Sequence, residues 1–220
     1  MRIDKDSHGT IAKVCIISLL IAGAALWFIP LWAVSIPIAS VFFCLACFTV
    51  YFHRIPRRNI VGSERIISSV ADGKVVILEK AFENEYLKRE CIQVSIYMDF
   101  FDVHANFWPM TGEVTYYKYH PGKYLLAFKP KASEENEHSS TAIKNQYGEI
   151  FFKQIAGTFA RRIVCYSKEG AMEKAGEQCG IIKFGSRIDM FLPLDADIKV
   201  KIGDFTRACE TVIAELAPAQ

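Results

Sequence analysis

Histidine is scarce in this chain, and it is the side chain best suited to act as a base at neutral pH. Nucleophilic chemistry needs such a base beside a hydroxyl or thiol, together with a third group that orients the base. Of the five histidines, His8 lies in the polar N-terminal tail and His53 borders a long apolar block. His104, His120 and His138 therefore remain as candidates for chemistry.

His104 is the most suggestive of these three histidines. It lies near the end of the strand-like run SIYMDFFDVHAN (95–106), and Asp102 stands two residues before it. Alternate residues of a strand share one face, so the Asp102 carboxylate could orient the imidazole. A lone histidine at the end of a strand is more often structural, and the local sequence leaves its role open.

Two Gly-Ser dipeptides supply candidate nucleophiles. Gly62-Ser63 lies in a polar, charged segment, whereas Gly185-Ser186 separates two strand-like runs, 181–184 and 187–192. Glycine permits backbone conformations closed to other residues, and it leaves its own carbonyl unshielded. Gly-Ser turns are common, so the dipeptide by itself carries little information about function.

Several other kinds of site find no support in the sequence. There is no Walker loop and no GxGxxG, HExxH or GxSxG motif, which argues against nucleotide-binding, zinc-protease and α/β-hydrolase chemistry. Seven scattered cysteines do not suit a disulfide framework, and the close pair Cys44 and Cys47 lies in an apolar run, so we predict no metal site. A net charge of +2 lacks the concentrated basic field of nucleic-acid-binding proteins.

The sequence predicts that short strands position these residues. After residue 53, apolar runs rich in β-branched and aromatic residues alternate with turns such as Asp72-Gly73 and Pro121-Gly122. No long amphipathic helix interrupts them, which disfavours a doubly wound parallel sheet and predicts a β-rich α+β domain. The predicted strands are 75–78, 92–98, 114–119, 124–128, 150–152, 163–166 and 188–192.

Two further segments of the domain have less regular patterns. Residues 131–144 (KASEENEHSSTAIK) are charged and Ser-rich, so we expect a solvated loop between two strands. The tail 199–215 favours strands around Gly203, because Thr211-Val212-Ile213 is a β-branched run, although a helix from Asp204 is the alternative.

The N-terminal part of the chain is a long apolar block. From Ile11 to Phe52 it runs for 42 residues with Lys13 as the only charged residue. One helix of this length would measure about 63 Å, roughly twice the hydrocarbon core of a bilayer. Pro30 divides the block, which predicts a hairpin of two transmembrane helices, 11–29 and 31–52.

The charges at the two ends of this block predict its orientation. Arg2 and Lys5 precede the block, and Arg54, Arg57 and Arg58 follow it. Because positively charged flanks stay on the cytoplasmic side, we expect an anchor in the cell (inner) membrane with the domain that follows it on the cytoplasmic side. The predicted units are the membrane anchor hairpin 1–52 and one domain, 53–220. A re-entrant or interface-buried hairpin is the alternative.

Six segments of the domain form an ordered set of motifs. They are ADGKV (71–75), FDVHAN (101–106) with Pro109 and Gly112, HPGK (120–123), KASEENE (131–137), QIAGTFARRIV (154–164) and IIKFGSRIDMFLP (181–193). In this order they resemble the phosphatidylserine decarboxylase family in its short bacterial and archaeal form. The upstream FHRIPRR (52–58) is similar to the basic approach segment of that family.

The resemblance implies a site and a cofactor. Members of the family are proenzymes that cut themselves at a Gly-Ser bond and convert the serine into a covalent pyruvoyl group. By resemblance, the bond is Gly185-Ser186, His104 is the base and Asp72 orients it. Asp102 remains a competing orienting group for His104, because spacing does not separate the two aspartates. No external cofactor is implied.

The resemblance also implies the products and the substrate. Cleavage would leave a large subunit, 1–185, whose domain part is 53–185, and a small pyruvoyl-capped subunit, 186–220, as a heterodimer. The pyruvoyl group would condense with the serine amine of phosphatidylserine in the bilayer, and loss of carbon dioxide would give phosphatidylethanolamine. A decarboxylase of a related archaeal-type serine lipid would use the same residues.

Two positions depart from the family pattern, and one other class of function stays open. His138 stands where an arginine often follows Asn136-Glu137, and Cys179 stands where an aromatic residue is expected. Because histidine is mostly neutral at pH 7, we do not expect His138 to carry the permanent positive charge that the arginine would have.

The alternative function is a membrane-anchored, non-enzymatic adaptor of the lipoyl-carrier type, which the turns between short strands suggest.

Overall fold

The computed structural model describes residues 1–61, 64–125, 135–158, 163–183 and 186–218. The chain divides into two compact units, Met1–Arg57 and Arg58–Gln220. The first is helical and the second is built from strands, so the predicted fold class is confirmed. The predicted strand 124–128 falls largely outside the described residues, and so do Gly185 and the Gly62-Ser63 pair.

The first unit is a helical hairpin. Helix α1 spans His8–Phe28 and helix α2 spans Trp32–Phe52, with Pro30 in the connection. Each has 21 residues and is therefore about 31 Å long, close to the thickness of the hydrocarbon core. Both are long and apolar enough to cross a membrane. Strands β1 (Arg2–Ile3) and β2 (Arg54–Ile55) pair antiparallel at the ends of the hairpin.

The second unit contains three sheets whose strands pair antiparallel throughout the described residues. The largest sheet has the strand order β11-β7-β8-β9-β13-β5-β4-β15, and the smaller two have the orders β10-β12-β6 and β14-β16-β3. The strands are β3 (Ile66–Ser68), β4 (Gly73–Glu83), β5 (Arg89–Met98), β6 (Ala105–Phe107), β7 (Gly112–His120), β8 (His138–Asn145), β9 (Gly148–Ala156), β10 (Ile163–Cys165), β11 (Met172–Glu173), β12 (Gln178–Ile182), β13 (Ser186–Leu192), β14 (Asp197–Ile198), β15 (Phe205–Thr206) and β16 (Val212–Glu215).

One face of the large sheet packs on the main hydrophobic core. Side chains alternate along β13, so Ile188, Met190 and Leu192 enter this core together with their cross-strand partners from β5. Trp108 lies in the same core, where its ring and that of Phe152 are nearly perpendicular with 5.9 Å between their centroids. The strand β13 is therefore buried along its whole length.

The opposite face of the sheet is covered by the turn between β4 and β5. Tyr86 in this turn stacks on Tyr116 of β7, with 4.6 Å between the ring centroids. In the same turn, Glu85 lies 2.9 Å from Lys153 Nζ of β9. The hairpin of β4 and β5 thus curls back over its own sheet, which leaves polar side chains buried on this face.

The expectation of a solvated loop over 131–144 is wrong for its second half, and residues 131–134 lie outside the described residues. Residues His138–Asn145 form β8, which pairs with β7 and β9 inside the sheet. Its polar side chains are buried because each has a partner: Ser139 Oγ donates to Gln154 Oε1 at 2.9 Å, and Ser140 Oγ donates to Glu85 Oε2 at 2.9 Å. Hydrogen-bonded polar groups tolerate burial, and hydropathy alone did not reveal this strand.

The tail prediction of strands rather than a helix is confirmed. Strands β14 and β15 flank a turn at Gly203, whose φ of +97° favours glycine, and β16 includes Val212 and Ile213. The tail thus contributes β15 to the large sheet and β14 and β16 to a smaller one.

Candidate active site

Ser186 is the first residue of β13, the strand that lies between β9 and β5. Its cross-strand neighbours are Ala156 and Met98. The side chain is fully buried, and Ser186 Oγ lies 3.7 Å from Met98 Sδ. Gly185, whose carbonyl would be the target of this hydroxyl, lies outside the described residues.

His104 lies in a different setting from the one that the sequence predicted. Strand β5 ends at Met98, a turn follows, and His104 directly precedes β6 instead of ending a longer strand. The run 95–106 is interrupted because the Asp102 carboxylate accepts a hydrogen bond from the Asp99 amide at 2.7 Å and closes a turn there.

The backbone of His104 is tied to the strand that leads to Ser186. The Ile182 amide donates to the His104 carbonyl at 3.2 Å, and Ile182 is followed four positions later by Ser186. Four residues span at most about 14 Å when fully extended. The fold therefore brings the buried His104 and the buried Ser186 into one region.

The imidazole of His104 is held by a main-chain group. Its Nδ1 lies 3.0 Å from the carbonyl oxygen of Asp102. A carbonyl only accepts hydrogen bonds, so Nδ1 donates and the neutral ring has its lone pair on Nε2. This tautomer suits a base that accepts a proton at Nε2.

Asp72 lies at the same edge of the large sheet as Ser186. Two residues after Asp72, Lys74 pairs with Tyr97, which pairs in turn with Arg187. Neighbouring strands lie about 4.8 Å apart, so two strand spacings separate Lys74 from Arg187, and Asp72 and Ser186 precede these residues by two positions and one position.

The carboxylate of Asp72 is engaged by two groups of its own unit. Asp72 Oδ2 accepts a hydrogen bond from Arg58 at 2.5 Å, and Oδ1 accepts one from the Ala208 amide at 2.8 Å. Both ionic side chains are largely buried. From the sequence, Arg58 was assigned to the positive flank of the membrane block. Its pair with Asp72 was missed because the two residues are 14 positions apart in the chain. Which carboxylate, if either, orients His104 stays a prediction.

A buried polar network joins β6 to the large sheet beside Ser186. Gln154 Nε2 donates to Asn106 Oδ1 at 2.8 Å, and Asn106 Nδ2 approaches Met98 Sδ at 3.8 Å. Met98 Sδ thus lies against both Asn106 and Ser186. Sequence reasoning did not single out Asn106 or Gln154, although Asn106 belongs to the FDVHAN segment.

A second polar cluster surrounds Glu85 on the opposite face of the sheet. His120 Nε2 lies 2.6 Å from Glu85 Oε1, and the rings of His120 and His138 stack with 4.4 Å between centroids. Burial would raise the pKa of Glu85, but the hydrogen bond and charge of Lys153, with further bonds from His120 and Ser140, lower it to about 2. Burial lowers the pKa of His138, so this residue does not provide the permanent positive charge of an arginine.

The cluster has the residue types of a metal site but not its arrangement. The ligand atoms of Glu85, His120 and His138 lie within 4.8 Å of one another. The rings of His120 and His138 are stacked and nearly parallel, so the lone pairs of their nitrogens lie in two separate planes and do not converge on one metal ion. The charge of Glu85 is already neutralised by Lys153. The arrangement fits an ion-pair network that fastens the curled hairpin to β8 and β9.

The buried cysteines are poor nucleophiles. Burial raises the pKa of the Cys209 thiol to about 12 and raises that of Cys179 well above its ordinary value. Because the thiolate is the reactive form, both thiols stay protonated and unreactive at neutral pH.

Comparison with known proteins gives one consistent family. A sequence profile described as "Phosphatidylserine decarboxylase" matches residues 45–214. The chain is 48% identical over 174 residues to the "Phosphatidylserine decarboxylase proenzyme" of Amoebophilus asiaticus, covering 79% of this chain and 77% of that protein. It is 42% identical over 183 residues to the protein of the same name from Prosthecochloris aestuarii, covering 83% and 84% of the two chains. The proenzyme of that name from Porphyromonas gingivalis is 37% identical over 219 residues, which covers 98% and 99% of the two chains.

Proposed function

The chain belongs to the phosphatidylserine decarboxylase family, and from this premise we propose that it cuts itself between Gly185 and Ser186 and decarboxylates phosphatidylserine with the pyruvoyl group so formed. The proposal is supported by the position of Ser186, which is buried at the first residue of a central strand and lies four positions after Ile182, whose amide donates to the His104 carbonyl. His104 Nδ1 is held by a carbonyl, which leaves Nε2 as the basic atom.

Self-cleavage begins with the Ser186 hydroxyl. His104 Nε2 accepts its proton, Oγ attacks the Gly185 carbonyl carbon, and the peptide C–N bond breaks as the serine nitrogen takes a proton. Gly185 is then joined to Ser186 through an ester. Loss of the Ser186 α-proton breaks the Cβ–O bond, which frees Gly185 as a carboxylate and leaves a Cα=Cβ double bond. Tautomerisation and one water then release ammonia and leave a ketone.

The surroundings of Ser186 fit an uncharged carbonyl group. The position is fully buried, and its Oγ lies against the Met98 thioether, so a ketone there would be shielded from bulk water. The ketone supplies an acceptor for the electron pair that remains when carbon dioxide leaves the substrate. His104 holds the proton that is returned to the substrate carbon, because a neutral imidazole alternates between base and acid near neutral pH.

The small chain stays in place after cleavage. Residues 186–220 include β13, which is paired on both sides, and β14, β15 and β16, which pair with one another or with strands of the large chain. Cutting before Ser186 removes one peptide bond but no strand pairing, so the two chains form a heterodimer through the sheets.

The helical hairpin supports a membrane location. Helices α1 and α2 have the length and apolarity of membrane spans, and the diacyl substrate resides in a bilayer. The basic flanks favour the cell (inner) membrane with the catalytic domain on the cytoplasmic side.

Intact mass of the purified protein tests the cleavage proposal. We expect two chains divided between residues 185 and 186, with a carbonyl-reactive small chain, and conversion of phosphatidylserine to phosphatidylethanolamine. Ser186→Ala should give one uncut, inactive chain, whereas Ser63→Ala, in the other Gly-Ser pair, should be cut normally. One unmodified chain that is still active would overturn the pyruvoyl mechanism.

A further inference from the structure

Large apolar side chains are exposed at the sheet edge where Ser186 begins β13. Phe100 is 39% exposed, Phe101 67%, Ile202 61% and Phe205 78%. We call these four residues the strand-end rim. Exposed clusters of large apolar side chains mark surfaces that bind a partner or a membrane.

The topology places the strand-end rim at one edge. Phe100 and Phe101 lie in the turn that follows β5, whose last residue, Met98, is the cross-strand partner of Ser186. Phe205 pairs with Lys74 at the start of β4, and Lys74 pairs with Tyr97 near the end of β5. Two strand spacings of about 4.8 Å therefore separate Phe205 from Tyr97.

Ile202 joins the same edge through the turn before β15. The amide of Gly203 donates to the Val75 carbonyl at 2.9 Å, and Val75 follows Lys74 in β4. The rim is thus formed by two turns that lie beside the starts of β4 and β13 and the end of β5.

Both turns are fixed by aspartates that bond to the backbone. Asp102 Oδ2 accepts from the Asp99 amide at 2.7 Å, and Asp99 Oδ1 accepts from the Phe100 amide at 2.6 Å. In the second turn, Asp204 Oδ2 accepts from the Lys201 amide at 3.0 Å. These bonds define the turn geometry and leave the apolar side chains at the tips exposed.

Cationic side chains accompany the rim. Lys74, Lys201 and Arg207 are exposed, and Lys74 Nζ lies 5.7 Å from the centroid of the Phe205 ring. Arg207 lies 3.9 Å from Glu210, so Lys74 and Lys201 are the cations that the rim offers to lipid. The three aspartates of the two turns each accept a backbone amide, which partly satisfies their carboxylates. Exposed phenylalanines next to lysine and arginine are the composition of surfaces that lie in the interface of an anionic bilayer.

We propose that the strand-end rim is a membrane contact of the catalytic unit, which inserts its phenylalanines into the interfacial layer of a bilayer containing anionic phospholipid. The rim would hold the edge that carries Ser186 against the layer in which a diacyl lipid resides. The purpose of this contact rests on the proposed function, whereas the contact itself is tested independently of activity.

Fluorescence quenching tests the contact directly. The full chain is placed in phosphatidylcholine and phosphatidylglycerol bilayers whose acyl chains are brominated, with a tryptophan introduced by Phe101→Trp or Phe205→Trp. The matched control is Phe82→Trp, because Phe82 is 61% exposed but lies near the far end of β4. The emission of the unchanged chain is subtracted from each variant.

We expect brominated lipid to quench the added emission at positions 101 and 205 and to spare that at position 82. The proposal would be overturned if emission at positions 101 and 205 were quenched no more than emission at position 82. That result is expected if another protein chain covers the rim. If quenching occurs but no chain decarboxylates phosphatidylserine, the membrane contact stands and the proposed function fails.

Kinetics test whether the contact presents the substrate. Phe101→Ser with Phe205→Ser should lower kcat/KM about tenfold toward phosphatidylserine in vesicles, as expected for the loss of about 1.4 kcal/mol of binding. Self-cleavage and the rate on dissolved short-chain phosphatidylserine should not change, and Phe82→Ser should behave as the unchanged chain. Equal losses on both substrates would show a structural effect and overturn the presenting role, as would an unchanged rate on vesicles.

Discussion

Nδ1 of His104 lies 3.0 Å from the main-chain oxygen of Asp102, while the Asp102 carboxylate is turned to the Asp99 amide at 2.7 Å. Asp102 therefore positions the ring through its backbone, and its side chain positions the turn. This division explains how a residue two positions before the base can fix the tautomer of the base through its main-chain oxygen.

Asp102→Asn should change self-cleavage only a few-fold, because the asparagine side-chain oxygen can still accept from the Asp99 amide and the main-chain carbonyl is untouched. His104→Ala should leave the chain uncut, since the proposed base is removed. Cleavage is followed by gel from freshly translated precursor. An uncut Asp102→Asn chain would contradict the backbone role and favour a catalytic carboxylate at this position.

Asp72→Asn should nearly stop self-cleavage if Asp72 orients His104, since the corresponding loss in serine proteases costs roughly 10⁴-fold in rate. The matched variant is Arg58→Gln, which removes the ionic partner but keeps the carboxylate. Breaking this largely buried pair should cost about 3 kcal/mol of stability while cleavage continues. If both variants lose stability equally and both still cut, Asp72 serves only the ion pair.

The sequence predicted the elements whose signal is local. The apolar block with Pro30 predicted α1 and α2, and alternating β-branched runs predicted strands such as β5 and β13. Strand β8 was missed because its serines are buried by partners from other strands, among them Gln154 and Glu85. Periodicity does not report such long-range hydrogen bonds.

In the candidate site, too, the sequence identified single residues but not the contacts between distant parts of the chain. Ser186 and His104 were chosen from residue type and resemblance, and the structure brings their backbones into one region. The Arg58 ion pair to Asp72 and the bond from Gln154 to Asn106 join residues 14 and 48 positions apart. No local pattern links these residues, so only the folded chain reveals their contacts.

Asn106→Leu should destabilise the protein by about 2 kcal/mol, because it leaves the buried Gln154 amide without its acceptor. Gln154→Leu alone should cost a similar amount. The double variant should cost less than the sum, since removing both partners leaves fewer unpaired polar groups. Calorimetric unfolding of the full chain in detergent measures the three values. Additive losses would mean that the two side chains do not stabilise each other.

Protonation of Glu85 in acid should lower the free energy of unfolding. Its pKa is lowered from 4.5 to about 2 in the folded chain, so the ionised carboxylate stabilises the fold above about pH 4.5, and this contribution is lost as the pH falls toward 2. Because solvent partly screens this group, the contribution is on the order of 1–2 kcal/mol. Glu85→Gln should lower stability at pH 7 and flatten the acid dependence, whereas Glu79→Gln, at an exposed position of β4, should do neither. Unfolding midpoints at several pH values check this, and an unchanged acid slope in Glu85→Gln would contradict the assignment.

Two truncations separate the helical hairpin from the residues that the catalytic unit needs. Deleting residues 1–52 should leave a domain that still cuts itself, because Ser186, His104 and the Arg58 pair to Asp72 all lie beyond the deletion. Its rate on phosphatidylserine in vesicles should fall more than its rate on a dissolved short-chain substrate, since the anchor shares the bilayer with the lipid. Deleting residues 1–58 removes Arg58 as well and should add the instability expected of Arg58→Gln. Cleavage by gel and turnover on both substrates compare the two chains. Loss of self-cleavage in the shorter deletion would mean that the helical hairpin takes part in the catalytic fold.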